Sequence, residues 1–357
     1  MAPLFTANWF NFGKNPAVVA DSGSAAPPYA GPWVSATGGN ASPTVPANQH
    51  QPGDWYRYHV FTSPGNLVVS APGPVDILLI GGGGGGGGGN RGAAAGAGGL
   101  VFRPGLTLPT ATYPITIGAG GEAGNYSSTN SAEVGGEGAA SQFGSPTQSS
   151  QRLIGMGGGR GGCADPNNPA NHGRPGGSGG SSWYPGYPAD PYGEGKQTNE
   201  PTIPADSRTY GFGSDCGTSG SSPVYSAGGG GAGGAGQPFD LPPAEEGLGG
   251  VGKYYDWADT TAPTNPGDGL AGFPFSPYNG KFAGGGTAGD YNSDVRAEPP
   301  GPTVGGYWYG GGLGDNLANP PNSEPKAKGG TNTGGGGGAS GDGGPGLCIV
   351  RYSIQSQ

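Results

Sequence analysis

The stretch VDILLIGGGGGGGGGNRGAAAGAGGLVF, Val75 to Phe102, sets an apolar strand pattern directly against nine consecutive glycines. A second Gly/Ala tract, Gly92 to Gly99, follows after Asn90 and Arg91, and the apolar run Leu100 to Phe102 comes next. Nine glycines offer no side chain to pack on a sheet face, so the tract is a poor strand. A helix interior loses about 1 kcal/mol per Gly relative to Ala, so it is a poor α-helix as well. What remains is the left-handed helix of the polyproline II type, which Gly populates readily and which makes no internal hydrogen bonds. Every N–H and C=O in it then needs a partner outside its own helix.

The whole chain has the same texture. Among 357 residues there are 85 glycines and 38 prolines, which rules out a mostly helical protein. Further Gly-dense tracts run over Gly118–Gly121, Gly135–Gly138, Gly155–Gly162, Gly173–Gly180, Ala227–Gly236, Gly247–Gly252, Gly284–Gly289, Gly305–Gly314 and Gly329–Gly344. No tract reads as a strict Gly-X-Y repeat, so a collagen triple helix is not expected. Ordering one residue costs about 1–2 kcal/mol and a net hydrogen bond returns about 0.5–1.5, so an isolated tract does not hold. A lattice of such helices, each bonded on several sides, does. Nine glycines at about 3.1 Å each give a rod about 28 Å long.

Around the tracts lie short runs rich in β-branched and aromatic residues: Trp55–Thr62, Gly65–Ser70, Val75–Ile80, Leu100–Leu108, Tyr113–Ile117 and, at the far end, Leu347–Ile354. The last run needs the early ones to bury it. The expected fold is therefore mainly irregular and all-β: a small antiparallel β-sandwich carrying a bundle of packed polyglycine II helices with long loops rich in Pro and aromatics. Residues 55–117 and 345–357 form the sandwich base, with Gly tracts over 81–99. Residues 118–344 form the glycine-rich bundle. Residues 1–54, with Phe5, Trp9, Phe10, Phe12, Tyr29 and Trp33, read as an extended docking or attachment segment.

The ordered set VDILLI, GAGGLVF (Gly96–Phe102), YPITIGAGG (Tyr113–Gly121) and GGPGLCIVRY (Gly343–Tyr352) resembles the glycine-rich domain of bacteriophage tail-fibre and adhesin proteins. The resemblance implies stacked polyglycine II helices in a rigid sandwich whose distal loops contact a host surface. A related fold occurs in the extracellular part of some animal receptor tyrosine kinases, so the likeness identifies fold better than role. The long Pro-rich loops and residues 1–50 depart from the fibre pattern.

Four aromatic clusters are candidates for receptor binding: Trp183, Tyr184, Tyr187 and Tyr192; Tyr254, Tyr255 and Trp257; Phe273, Phe275 and Tyr278, with Phe282; and Tyr307, Trp308 and Tyr309. Flat faces with a polar edge suit stacking on sugar rings or anchoring a protein partner. Asp190, Asp256, Asp259 and Asn279 lie among them as hydroxyl partners. The competing reading is that these rings cover the flanks of a bundle with no apolar side chains of its own.

Other chemistry is thinly represented. GLGGVGKY (Gly247–Tyr254) nearly spells a phosphate-binding loop, but Tyr254 stands where a Ser or Thr must hold Mg²⁺. The histidines His50, His59 and His172 are scattered, and His59 reads as a strand residue. Adjacent Glu245 and Glu246 read as solvated carboxylates. The sequons at Asn40 and Asn125 carry no weight without a secretory signal. No enzyme activity, cofactor or metal is expected. Whether Cys163 and Cys216 pair is left open, and Cys348 reads as a small buried residue. The balance of 15 basic against 24 acidic residues, net charge −9, argues against nucleic acid. No apolar run is long enough to insert in a membrane, and MAPLFTANWF lacks the basic start of a signal peptide. The expected role is a virion adhesin, assembled in a host cytoplasm, that binds a bacterial surface glycan or outer-membrane protein. The alternative is a structural virion protein whose loops pack against other virion proteins or copies of itself.

Overall fold

The computed structural model describes residues 33–40, 44–46, 55–88, 92–125, 133–163, 172–182, 193–218, 226–238, 247–258, 280–288, 311–312 and 328–354. Almost all regular structure in them is β. One sheet has five strands in the order β1 (Ser35–Thr37), β4 (Gly65–Ala71), β7 (Ala111–Thr116), β8 (Ser141–Phe143) and β9 (Leu153–Gly155). The other has six: β10 (Gly211–Phe212), β6 (Leu100–Leu108), β5 (Gly73–Ile80), β13 (Leu347–Ile354), β3 (Trp55–Phe61) and β2 (Thr44–Pro46). Every pairing in them is antiparallel.

The closing strand β13 lies at the centre of the six-stranded sheet, with Cys348 opposite Leu79 on one side and Phe61 on the other. Alternation explains the unbroken apolar runs. Val75, Ile77, Leu79, Cys348 and Val350 face the core shared with the five-stranded sheet. Leu78, Ile80, Leu347 and Ile349 face a second core on the opposite side. A strand buried on both faces has no polar side to show, which is why ILLI, 77–80, and LCIV, 347–350, read as continuous hydrophobe.

The glycine tracts start and end on these strands. Bonds along Gly81–Gly88 follow a three-residue period. Gly81, Gly84 and Gly87 donate to Gly99, Gly96 and Ala93; Gly82, Gly85 and Gly88 donate to Ala139, Gly136 and Glu133; Gly83 and Gly86 donate to Gly344 and Gly341. Partner numbers fall as donor numbers rise, so all three of these neighbours are antiparallel. The carbonyls accept from three others: Gly121 and Gly124 donate to Gly83 and Gly86, Gly158 and Gly161 to Gly82 and Gly85, and Gly337 and Ser340 to Gly84 and Gly87. There the numbers rise together, and the neighbours are parallel. Gly81–Gly88 is thus the axis of a hexagonal arrangement, and each residue from Gly82 to Gly87 both donates and accepts. This is the polyglycine II bundle, with its backbone groups satisfied laterally.

None of Gly81–Gly88 has a φ in the left-handed region, so these glycines are required for something other than φ. A methyl group on Gly83, Gly85 or Gly86 would fall on the carbonyl oxygen of Gly335, Glu122 or Gly338, well inside 3.0 Å. Close approach is what demands glycine here. At the bundle's edge the demand relaxes to every third residue. Along Gly118–Asn125, Gly118, Gly121 and Gly124 are buried, while Ala119, Glu122 and Asn125 are exposed. The reading that no tract carries a Gly-X-Y repeat therefore fails locally, because an edge helix turns one of its three rows to solvent.

Three buried polar groups lock sheets to tracts. The Ser141 hydroxyl donates to the Ile80 carbonyl (2.6 Å) and accepts from the Gly118 N–H (2.9 Å). The Gln197 amide donates to the carbonyls of Ile154 (3.0 Å) and Ser207 (2.9 Å) and accepts from the Met156 N–H (2.8 Å). The Ser207 hydroxyl accepts from the Ile154 N–H (2.9 Å), which holds the short helix α1 (Ala205–Thr209) against β9. So the region 118–344 returns to the base through β8, β9 and β10, and the base takes in β1 and β2 ahead of residue 55. Strands of two or three residues carry no alternation to read. Residues Trp33–Gln357 form one compact unit. Of the six N-terminal aromatics, Trp33 is half-buried and the others lie outside the described residues.

His59 is buried in β3. Its Nδ1 lies 2.8 Å from the Gly38 carbonyl and its Nε2 lies 3.1 Å from the Tyr352 hydroxyl, so the proton sits on Nδ1 and Nε2 accepts. Burial lowers its pKa below the usual value, the Gly38 carbonyl opposes that shift, and Arg57 adds to it. A base depressed on folding contributes stability that is complete above its unfolded pKa, about 6.5, and declines as pH falls through that value. The melting temperature should therefore drop from pH 7 to pH 5 more steeply in the parent than in His59→Gln. Superimposable pH profiles for the two would exclude this role.

A candidate receptor-binding surface

Direction along the tracts divides the bundle into two unlike ends. At the proximal end, β5 runs into Gly81, Gly99 into β6, Ala140 into β8 and Gly346 into β13. At the distal end, Gly88 is bonded to Glu133, Gly162 to Ser181, and the Ser226 hydroxyl to the Gly92 carbonyl. The described tracts that border residues 126–132, 164–171, 183–192, 219–225 and 239–246 all stop at or near this distal end. Asn125 and Glu133 close the neck of the first of these segments with a side-chain hydrogen bond of 2.6 Å.

Trp183, Tyr184, Tyr187 and Tyr192 lie outside the described residues, in the segment joined to the distal end through Ser182 and Gly193. Tyr307, Trp308 and Tyr309 also lie outside them. Their segment leaves from Ala288, whose N–H donates to the Gly247 carbonyl near the distal end, and rejoins at Gly311. Phe273, Phe275 and Tyr278 lie outside the described residues too. Their segment is joined at the sheet end, through Ala258 and Gly280.

The remaining cluster is fully placed. β11 (Lys253–Tyr254) pairs with β12 (Lys281–Phe282), and the turn that follows β11 lays Tyr255 and Trp257 over the outer face of the six-stranded sheet. The Tyr255 ring centroid lies 5.0 Å from that of Phe102, 5.6 Å from Trp257 and 6.4 Å from Phe282. Trp257 lies 6.1 Å from Tyr58 and receives the Arg351 guanidinium at 4.4 Å, while Arg351 also pairs with Asp76 at 3.0 Å. Burial pushes the Tyr255 phenol well above its ordinary range. Both rings cover the second core. Tyr254, by contrast, is 48% exposed.

One cavity near the distal end involves residues that no sequence pattern singles out. It has a volume of about 460 Å³, and Glu122, Asn125, Lys328, Ser340 and Asp342 line it. The Lys328 ammonium lies 2.8 Å from one Asp342 oxygen, and the other accepts from the Ala123 N–H at 2.8 Å. Only the serine inside the Gly-rich run GGASGDGG, 337–344, marks the spot in the sequence.

Cys163, Cys216 and Cys348 are not joined in disulfides. No helix among the described residues is long and apolar enough to cross a membrane. No curated protein and no solved structure matches the chain. A family model does: that of the glycine-rich domain, over residues 62–353. That span begins just after β3 and ends inside β13, enclosing eight of the eleven sandwich strands (β13 less its last residue) and the whole described bundle, with β1, β2 and β3 lying ahead of it. The chain belongs to the glycine-rich domain family.

Proposed function

We propose that the protein is a bacteriophage adhesin, a tail-fibre tip or related virion appendage, that binds a bacterial surface glycan or outer-membrane protein through loops displayed on the polyglycine bundle. One observation carries this reading: the two sheets tie down one end of the bundle, and the described tracts that border five segments, 126–132, 164–171, 183–192, 219–225 and 239–246, stop at or near the other. Loops on a rigid scaffold are a common seat of recognition. The segment with Trp183, Tyr184, Tyr187 and Tyr192 belongs to that set and supplies the aromatic anchors that dominate binding energy at interfaces. A second reading, a structural virion component, draws on the cluster at Tyr255 and Trp257, whose rings are engaged in internal packing.

Fluorescently labelled protein titrated onto a panel of bacterial strains separates the two. The adhesin reading expects saturable binding to at least one strain, weakened about tenfold or more by Trp183→Ala with Tyr184→Ala. Absence of saturable binding across the panel, with the protein captured only by other virion components, would favour the structural role.

A further inference from the structure

We propose that residues 33–37 form an acid-operated latch: strand β1 is hinged at Gly38 and Gly39, is held shut by Tyr352 and His59, and leaves the sandwich when His59 takes up a proton. The chain enters the compact unit Trp33–Gln357 here, so the latch sets where residues 1–32 are tethered.

The hinge is two glycines with positive φ, +125° at Gly38 and +94° at Gly39. Such backbone suits glycine, and two in succession turn with little resistance. Beyond the hinge the chain is anchored at the end of β3. The Asn40 N–H donates to the Val60 carbonyl (2.7 Å), and the Asn40 side-chain oxygen accepts from the Thr62 N–H (2.7 Å). Ahead of the hinge the chain is held lightly. β1 is three residues long, lies at the edge of its sheet and has an irregular register between Ser35 and Ala36. Of residues 33–37, Val34 and Ala36 are buried.

Polar groups of the other sheet close the latch. The Tyr352 hydroxyl accepts from the Ala36 N–H (3.1 Å) and donates to His59 Nε2 (3.1 Å), while His59 Nδ1 donates to the Gly38 carbonyl (2.8 Å). The two rings stack with centroids 5.7 Å apart, and both are buried. A proton on Nε2 turns an acceptor into a donor aimed at the hydroxyl that was donating to it. The charge also lacks compensation. Arg57, on the same strand, has the same sign; Tyr352, from β13, is a phenol whose pKa burial raises; β1 brings only backbone; and β4 brings the apolar Leu67 and Val69. Among the described residues no carboxylate acts on His59. Opening gives the ring to water, where it titrates near pH 6.5, so acid favours the open strand. Between pH 7.5 and pH 5.0 the open fraction should rise by up to about 30-fold.

Hydrogen exchange of the full chain at these two pH values, corrected for the intrinsic rates, tests the latch. Protection of peptides covering 33–40 should fall about tenfold or more at pH 5.0, while that of β5 and β13 holds. In His59→Gln, whose amide does not titrate, protection of 33–40 should be the same at both pH values. Tyr352→Phe keeps the ring but takes the acceptor from the Ala36 N–H, and should lower protection of 33–40 about tenfold already at pH 7.5. An acid response shared by the parent and His59→Gln would overturn the latch, and so would full protection of 33–40 in Tyr352→Phe. Loosening of β1 only in step with β13 would also overturn it, since acid would then be weakening the whole sandwich.

Discussion

Replacing Gly85 with alanine should destabilise the protein by about 2 kcal/mol or more, and the sign of the effect is as informative as its size. Gly85 has an ordinary φ outside the left-handed region. Were it present only for chain flexibility, alanine would stabilise by about 0.4–1 kcal/mol through the unfolded state. In the lattice its N–H donates to Gly136 and its carbonyl accepts from Gly161, while a Cβ would collide with the Glu122 carbonyl. A backbone oxygen cannot swing aside as a side chain can, so two helices must separate and loosen bonds on several sides. Gly105→Ala is the contrast. There the φ is +61° and nothing lies within 4 Å, so only the strain of left-handed backbone is felt, about 1 kcal/mol. Urea denaturation of the three proteins decides the matter: a Gly85→Ala variant as stable as the parent would mean that close helix contact does not hold the bundle together.

The difference between those two glycines marks how far the sequence could be read. Nine consecutive glycines leave few conformations that satisfy their backbone, so the lattice follows from counting donors and acceptors. VDILLI and LCIVRYSI are legible as strands because apolar side chains dominate both faces. The need to bury a lone terminal octet joins it to the early strands, but the ladder register, with β13 between β5 and β3, is a tertiary fact that the letters do not carry. By contrast β1, β2, β8, β9 and β10 are two or three residues long, too short for a periodic signal, and are held as strands by the neighbours they pair with. The helix α1 is equally local, five residues fixed by Ser207 and by the Arg103–Asp206 ion pair at 2.7 Å. Nothing in ADSRT foretells those partners. The Gly-X-Y spacing at Gly118, Gly121 and Gly124 was present in the letters, but its meaning depends on this tract lying at the bundle's edge. Of the binding candidates, aromatic content located the clusters without distinguishing a ring turned outward from one laid over a sheet.

That distinction is open to measurement at the cluster of Tyr254, Tyr255 and Trp257. Trp257→Ala should lower stability by about 2–4 kcal/mol, because it removes a ring packed on Tyr58, Phe102 and Tyr255 and leaves Arg351 without the face it covers. Tyr254→Ala, at a position 48% exposed, should stay within about 1 kcal/mol of the parent. Deleting Lys253–Phe282 would confound the two effects, since β11, β12 and the cover of the second core would be lost together. The single substitutions separate them. If cells bind the parent, loss of binding in Tyr254→Ala with an unchanged melting curve would make the exposed ring part of the contact surface. Loss in Trp257→Ala alone, in step with its lower melting temperature, would reduce the cluster to a clamp on the six-stranded sheet. Equal stability of parent and Trp257→Ala would contradict the packing described here, because a tryptophan flanked by three rings and a guanidinium cannot be removed from a working core without cost.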